Sequence, residues 1–152
     1  MMQSLATGAS FLAVVLLGIT AGALLAEASV LVPFWRSQPP RSFLDWYREH
    51  AALLLWFFGP LEVATTVVVI IAALLAWSSG AGGAYLSIAA ALLALAVLAS
   101  FPLYFQRANA SFEAGTIAIE RVAPELRRWA LWHWARTLIA TASFILATLA
   151  LE

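Results

Sequence analysis

The chain has no cysteine and no lysine, and only 11% of its residues are charged. Without cysteine there can be no disulfide, thiolate metal site or cysteine nucleophile. Eight arginines balance eight acids, so the formal net charge is zero. No global field is available to attract nucleic acid, and none is expected as a partner. An ordinary soluble domain carries about 25% charged residues. The shortfall excludes a disordered chain, a coiled coil and a soluble enzyme of normal composition. A Gly-x-Ser-x-Gly elbow and a phosphate-binding loop are both missing. No glutamate is followed by histidine at the spacing of a di-metal carboxylate site, so no metal site is expected.

What remains is apolar: 64% of 152 residues. A bilayer core needs a helix of about 20 mostly apolar residues. Four runs qualify, at about 10–32, 51–77, 84–105 and 129–151. Each is too long, and too rich in Ala and Leu, for a strand. The expected fold is therefore all-α, with residues 1–152 forming one integral membrane domain. Its architecture is a four-transmembrane-helix antiparallel bundle, kinked at Pro60 and Pro102, with the first helix ended by Pro33. Ala26-Glu27-Ala28 has the small-x-small form of a signal cleavage site. No basic residue precedes Phe11, however, so the run is read as a retained span. Gly18 and Gly22 form a GxxxG of the kind that lets helices approach closely.

Polar residues crowd into two connections. The first carries Arg36, Arg41, Asp45, Arg48 and Glu49. The third carries Arg107, Glu113, Glu120, Arg121, Glu125, Arg127 and Arg128. The second, from Ser78 to Gly83, is uncharged. With four spans, the two charged connections share one side. Cytoplasmic loops retain Arg, so the charged loops are expected in the cytoplasm and both termini outside. The lysine-free, Ala- and Arg-rich composition suits a GC-rich bacterial genome, hence a multi-pass protein of the bacterial inner membrane. Tryptophans cluster at the charged end, and Trp77 with Tyr85 marks the other interface. Ser42 and Asp45 resemble a capping box opening the second helix ahead of the membrane. The third helix has no breaker before Gly115 and is expected to overrun.

Charge inside lipid costs several kcal/mol by insertion scales of about 2.5–3.5 kcal/mol per residue, so each case is a functional candidate. Three charged residues fall within the runs: Glu27, Glu62 and Arg136. Glu27 lies about 7–8 Å inside its expected helix end, at about 1.5 Å per residue. Glu62 follows Gly59-Pro60. On the third helix Pro102, Gln106, Asn109 and Glu113 share a face. On the fourth, Trp129, His133, Arg136, Ala140 and Ser143 do so. Arg136 can pair with Glu62 or Glu27. A single pair fixing helix register is the plainer reading. The surplus of polar groups favours a site. A histidine could remove a proton from an acidic carbon or phenol, and Arg136 with Asn109 could hold the resulting oxyanion. His50 and His133 could alternatively ligate a haem iron from two helices.

The run Leu103-Tyr104-Phe105-Gln106-Arg107-Ala108-Asn109, followed by Trp129-x-x-Trp132-His133-x-x-Arg136, resembles the anthrone oxygenase-like family of small four-helix membrane proteins. The Gly-rich first helix and Gly-Pro second helix fit the same architecture. Characterised members convert anthrones to anthraquinones without a cofactor. The resemblance implies functional positions at Asn109, His133 and Arg136, and no cofactor. The chain departs from the family's frequent Asn-x-Pro-x-Asn run, since Ala110-Ser111-Phe112-Glu113 follow Asn109.

Together these readings predict an oxygenase or oxidoreductase acting on a lipid-soluble phenolic, anthrone or quinoid molecule. His133 is the expected base, and Arg136 with Asn109 the oxyanion holders. Glu27, Glu62, Gln106, Trp129, Trp132 and His50 are expected to line the substrate. Two alternatives belong to other classes. One is a non-catalytic subunit, packed as a homo-oligomer or in a larger membrane complex. The other is a haem- or quinone-binding bundle. The bilayer is the expected partner in every case.

Overall fold

The computed structural model describes residues 2–152, and among them every regular element is helical. Helix α1, Met2–Ala26, passes through a π-helical turn at Glu27–Leu31 into α2, Val32–Ser37. Helix α3 spans Pro40–Ser78. Helix α4, Ala84–Ser100, passes through a second π-helical turn at Phe101–Phe105 into α5, Gln106–Glu113. Helix α6 spans Ile119–Leu149.

The described residues thus make four continuous rods. Three of them, Met2–Ser37, Pro40–Ser78 and Ala84–Glu113, are long and apolar enough to cross a membrane. Helix α6 is long enough, but His133, Arg136 and the tryptophans around them lower its hydropathy below that of the other three.

Several boundaries differ from expectation. Pro33 does not end the first rod, which continues to Ser37. In the π-helical turn before it, the Val32 N–H bonds the Glu27 carbonyl five residues back. The widened turn accommodates a proline that would otherwise clash with the carbonyl four residues earlier. The turn at Phe101–Phe105 does the same around Pro102, with Gln106 N–H on Phe101 O. Helix α3 stays a single α-helix through Pro60. Ser42 is not a cap, because α3 opens two residues earlier at Pro40 with no side-chain capping bond. Proline suits that first position, where its missing N–H costs nothing. Asp45 instead approaches Arg48 at 3.5 Å. Helix α6 begins ten residues before the expected span, at Ile119 rather than 129. The third rod overruns as expected, to Glu113, and Gly115 then takes a φ of +62°.

The rods pack as a ring, with α1 beside α3, α3 beside α4, α4 beside α6 and α6 beside α1. Toward the uncharged end the core is made of small side chains: Ala13, Ala72, Ala73, Ala90, Ala91, Ala94 and Ala147, with Leu17 and Val69. Lipid removes the hydrophobic drive between helices, so close backbone approach and interhelical hydrogen bonds must hold them. Ser143 donates to the Ala90 carbonyl at 2.8 Å, and the Thr20 and Thr65 hydroxyls pair at 2.8 Å. Gly18 faces Phe144, but Gly22 is exposed, so the GxxxG is not one packed face. Toward the charged end the core is aromatic. Trp35 touches Phe43, Trp46, Tyr47 and Trp129 at once.

At the uncharged turn, a Cβ on Gly83 would run into the Ala150 backbone, whereas one on Gly82 would meet nothing within 4 Å. Gly83→Ala should therefore lower stability by about 1–3 kcal/mol, as overpacking does. Gly82→Ala should stay within about 0.5 kcal/mol of the parent. Thermal unfolding of the two variants in one detergent checks both.

Candidate functional site

Between the alanine layer and the aromatic layer lies a polar cluster built from three rods. Glu27 opens the π-helical turn after α1, Glu62 lies two residues beyond Pro60 on α3, and His133 and Arg136 lie on α6. All four are buried, His133 completely so at 0% exposure.

Arg136 is the hub. Its Nη1 donates to Glu62 Oε1 at 3.3 Å and its Nη2 to Glu27 Oε2 at 3.4 Å. Its Nε donates to His133 Nδ1 at 3.1 Å. Its guanidinium lies over the Phe105 ring, 4.2 Å from the centroid. Each π-helical turn therefore delivers one contact to Arg136: Glu27 from the first, Phe105 from the second.

The His133 tautomer follows from its partners. Nε2 sits 2.9 Å from the Leu24 carbonyl, which can only accept, so Nε2 carries the proton. Nδ1 is then the acceptor for Arg136. Glu27 Oε2 is 3.6 Å from Nδ1, but two acceptors make no hydrogen bond, and a neutral ring makes no ion pair. Both ring nitrogens are thus engaged, and neither offers iron a free lone pair. Among the described residues, no three His, Asp or Glu side chains are grouped to hold a metal ion.

The aromatic layer supports this geometry from above. Trp129 stacks on His133 with centroids 5.0 Å apart and planes 12° from parallel. Its indole Nε1 donates to Asn109 Oδ1 at 2.8 Å. Asn109 therefore reaches the cluster through Trp129, not directly. Trp35 meets Trp129 edge-on at 5.4 Å.

The other expected residues lie elsewhere. On the third rod, Pro102, Gln106 and Glu113 face outward and Asn109 is half-buried, while Phe105, Ala108 and Phe112 take the inward face. Apolar burial sets the phase of α5. His50 stacks on Trp46 at 4.2 Å, and its Nδ1 donates to the Trp46 carbonyl at 2.8 Å. Trp132 is 38% exposed and stacks on Tyr104 at 5.0 Å. Glu27 lies deeper than expected, ten residues before Ser37, or about 15 Å at about 1.5 Å per residue. Sequence reasoning assigned no role to the Leu24 carbonyl or Phe105. Pro33 and Pro102, read as a stop and a kink, were the available signals for the widened turns that place Glu27 and Phe105.

The charge count does not close. One guanidinium faces two carboxylates, leaving one negative charge in excess when both acids are ionised. Beside Glu62 is a cavity lined by Leu17, Thr20, Thr65, Thr66 and Val97, with room for about one water. No family model, curated protein or solved structure matches the chain.

Breaking a buried ion pair from one side strands the other charge, at a cost of about 3–5 kcal/mol. Arg136→Leu should show that loss in unfolding from detergent micelles. Adding Glu27→Gln and Glu62→Gln to it should restore most of the stability. A stable single variant, or a triple variant no better than the single, would contradict the hub.

Proposed function

We propose that the protein is a four-span membrane protein whose buried Glu27–Glu62–Arg136 cluster takes and releases a proton. The substrate on this reading is a lipid-soluble phenolic, anthrone or quinoid molecule, and the activity that of a cofactor-free oxygenase. The observation that carries it is the mismatch of two buried acids to one guanidinium. The cluster avoids a bare charge in a low-dielectric interior by holding one proton between its carboxylates.

Support for a fourth crossing comes from α6 itself. It lies along α4 and α1, and its polar residues His133, Arg136, Thr137 and Ser143 are all buried. Bends at Pro60 and Pro102, which would open the bundle beside Glu62 and Arg136, belong to this proposal. So do the bacterial inner membrane and the orientation with both termini outside and charged loops cytoplasmic.

The geometry redistributes the expected roles. His133 has its Nδ1 lone pair committed to Arg136, so whichever of Glu27 and Glu62 remains ionised is the better base. His133 orients the guanidinium. Arg136 has five N–H groups and three are used, so two remain for a substrate oxygen. A base that removes a C–H proton and a guanidinium that holds the oxyanion would generate the anthrone carbanion, and dioxygen would then oxidise it to the quinone with release of one water. The resemblance at Leu103–Asn109 and Trp129–Arg136 supports the same substrate class.

The second reading, a non-catalytic subunit of a membrane complex, is favoured by the size of the cavity beside Glu62. Room for about one water does not admit a tricyclic ring until the helices part. Oxygen uptake with an anthrone, using protein purified in detergent, separates the two. The oxygenase reading predicts turnover that falls about 100-fold or more in Glu62→Gln or Glu27→Gln, as loss of a general base does. Folded wild-type protein no faster than buffer would leave the subunit reading standing.

A further inference from the structure

A second cavity lies at the charged end, away from the Arg136 cluster. It has a volume of about 130 Å³ and lies between the end of α2, the start of α3 and the start of α6. Arg36, Gln38 and Arg127 supply its polar lining, and Trp35, Phe43 and Leu126 its apolar lining.

Four features give this cavity a positive character. Neither Arg36 nor Arg127 has a carboxylate within 4.0 Å among the described residues. No acid lines the cavity. The acids nearby in sequence lie elsewhere: Glu125 accepts from the Tyr104 hydroxyl at 2.8 Å, and Glu120 is exposed outside the lining. Helices α3 and α6 both begin beside it, each without a side-chain cap; the Phe43 N–H bonds the Pro39 carbonyl and the Arg121 N–H the Ala118 carbonyl, and the helix starts add partial positive charge.

One buried donor beside the cavity lacks an acceptor. Trp35 lines the cavity and is only 1% exposed. Its indole Nε1 is the one buried side-chain polar atom among the described residues without a hydrogen-bond partner. Such an orphan donor in a packed layer calls for a water, an ion or a ligand.

We propose that this cavity binds the phosphate of an anionic phospholipid. Arg36 and Arg127 would hold the phosphate oxygens as charge-assisted donors, with the helix starts adding partial positive charge. The apolar lining distinguishes a lipid from free phosphate. From the cavity, a glycerol and acyl chains would extend along the outside of the adjoining helices. Basic pockets between helices at the membrane face are a known basis for headgroup recognition. The site stands apart from the proposed chemistry at Arg136 and does not rest on it.

The test is retention of lipid by the full chain, read by mass spectrometry of the intact protein released from detergent. Phosphatidylglycerol and phosphatidylcholine with the same acyl chains are offered together, and inorganic phosphate is offered alone in a separate arm. Wild type should retain phosphatidylglycerol preferentially. In Arg36→Gln/Arg127→Gln that preference should fall about thirtyfold, from the electrostatic attraction of two interfacial arginines. Arg107→Gln, an exposed arginine outside the cavity, should leave it unchanged. Thermal unfolding without lipid should show the double variant folded as wild type. Equal retention of both lipids would overturn the proposal, as would an equal loss in Arg107→Gln. So would capture of inorganic phosphate with no lipid preference, which would make the ligand soluble.

Discussion

The fork of Arg136 between two carboxylates is the contact on which the rest of the bundle depends. A buried guanidinium is tolerated only where partners compensate for lost hydration. Here the partners come from separate rods, Glu27 from the first and Glu62 from α3, while the arginine belongs to α6. One side chain thus fixes the rotation and axial register of three helices. Both π-helical turns make sense in that light. The first carries Glu27 and the second carries Phe105, whose ring lies against the guanidinium. The first turn lies just before Pro33 and the second contains Pro102; proline removes an α-helical bond at each place, so widening costs little there.

The layers on either side of the fork have complementary roles. Below it, alanines bring backbones close enough for dispersion and a few hydroxyl bonds to hold helices in lipid. Above it, the aromatic layer from Trp35 to Trp129 excludes water and clamps His133 by stacking. His133 is held between the Leu24 carbonyl and the Arg136 Nε–H. That double commitment makes it an orienting group. In the proposed function, proton capacity belongs to the two acids, where charge is out of balance.

The helical class and the rods were legible in the sequence because apolar runs of about 20 residues leave few alternatives. The inward face of α6 was legible too. Spacing alone placed Trp129, His133, Arg136, Ala140 and Ser143 together, and all five are buried. The pairing of Arg136 with both acids exceeded a reading that asked for either one. Less legible was anything that depended on helix phase beyond a proline. The stripe from Pro102 to Glu113 was counted in α-helical steps, and the apolar side chains Phe105, Ala108 and Phe112 claimed the interior instead. Nor could spacing show that Asn109 reaches the site through the indole of Trp129. His50 and Trp132 were grouped with the site by polarity and depth. Their stacking on Trp46 and Tyr104 is a local packing choice that no sequence period encodes.

The central claim is that Glu27 and Glu62 hold one proton between them against Arg136. Infrared spectroscopy of the protein in lipid bilayers near neutral pH addresses it most directly, through the carbonyl stretch of a protonated carboxyl group. The account predicts one such absorption, shielded from slow deuterium exchange with the solvent and lost when both acids are replaced by glutamine. A bilayer-embedded protein with no protonated carboxyl absorption, or with an absorption that survives the double replacement, would contradict it.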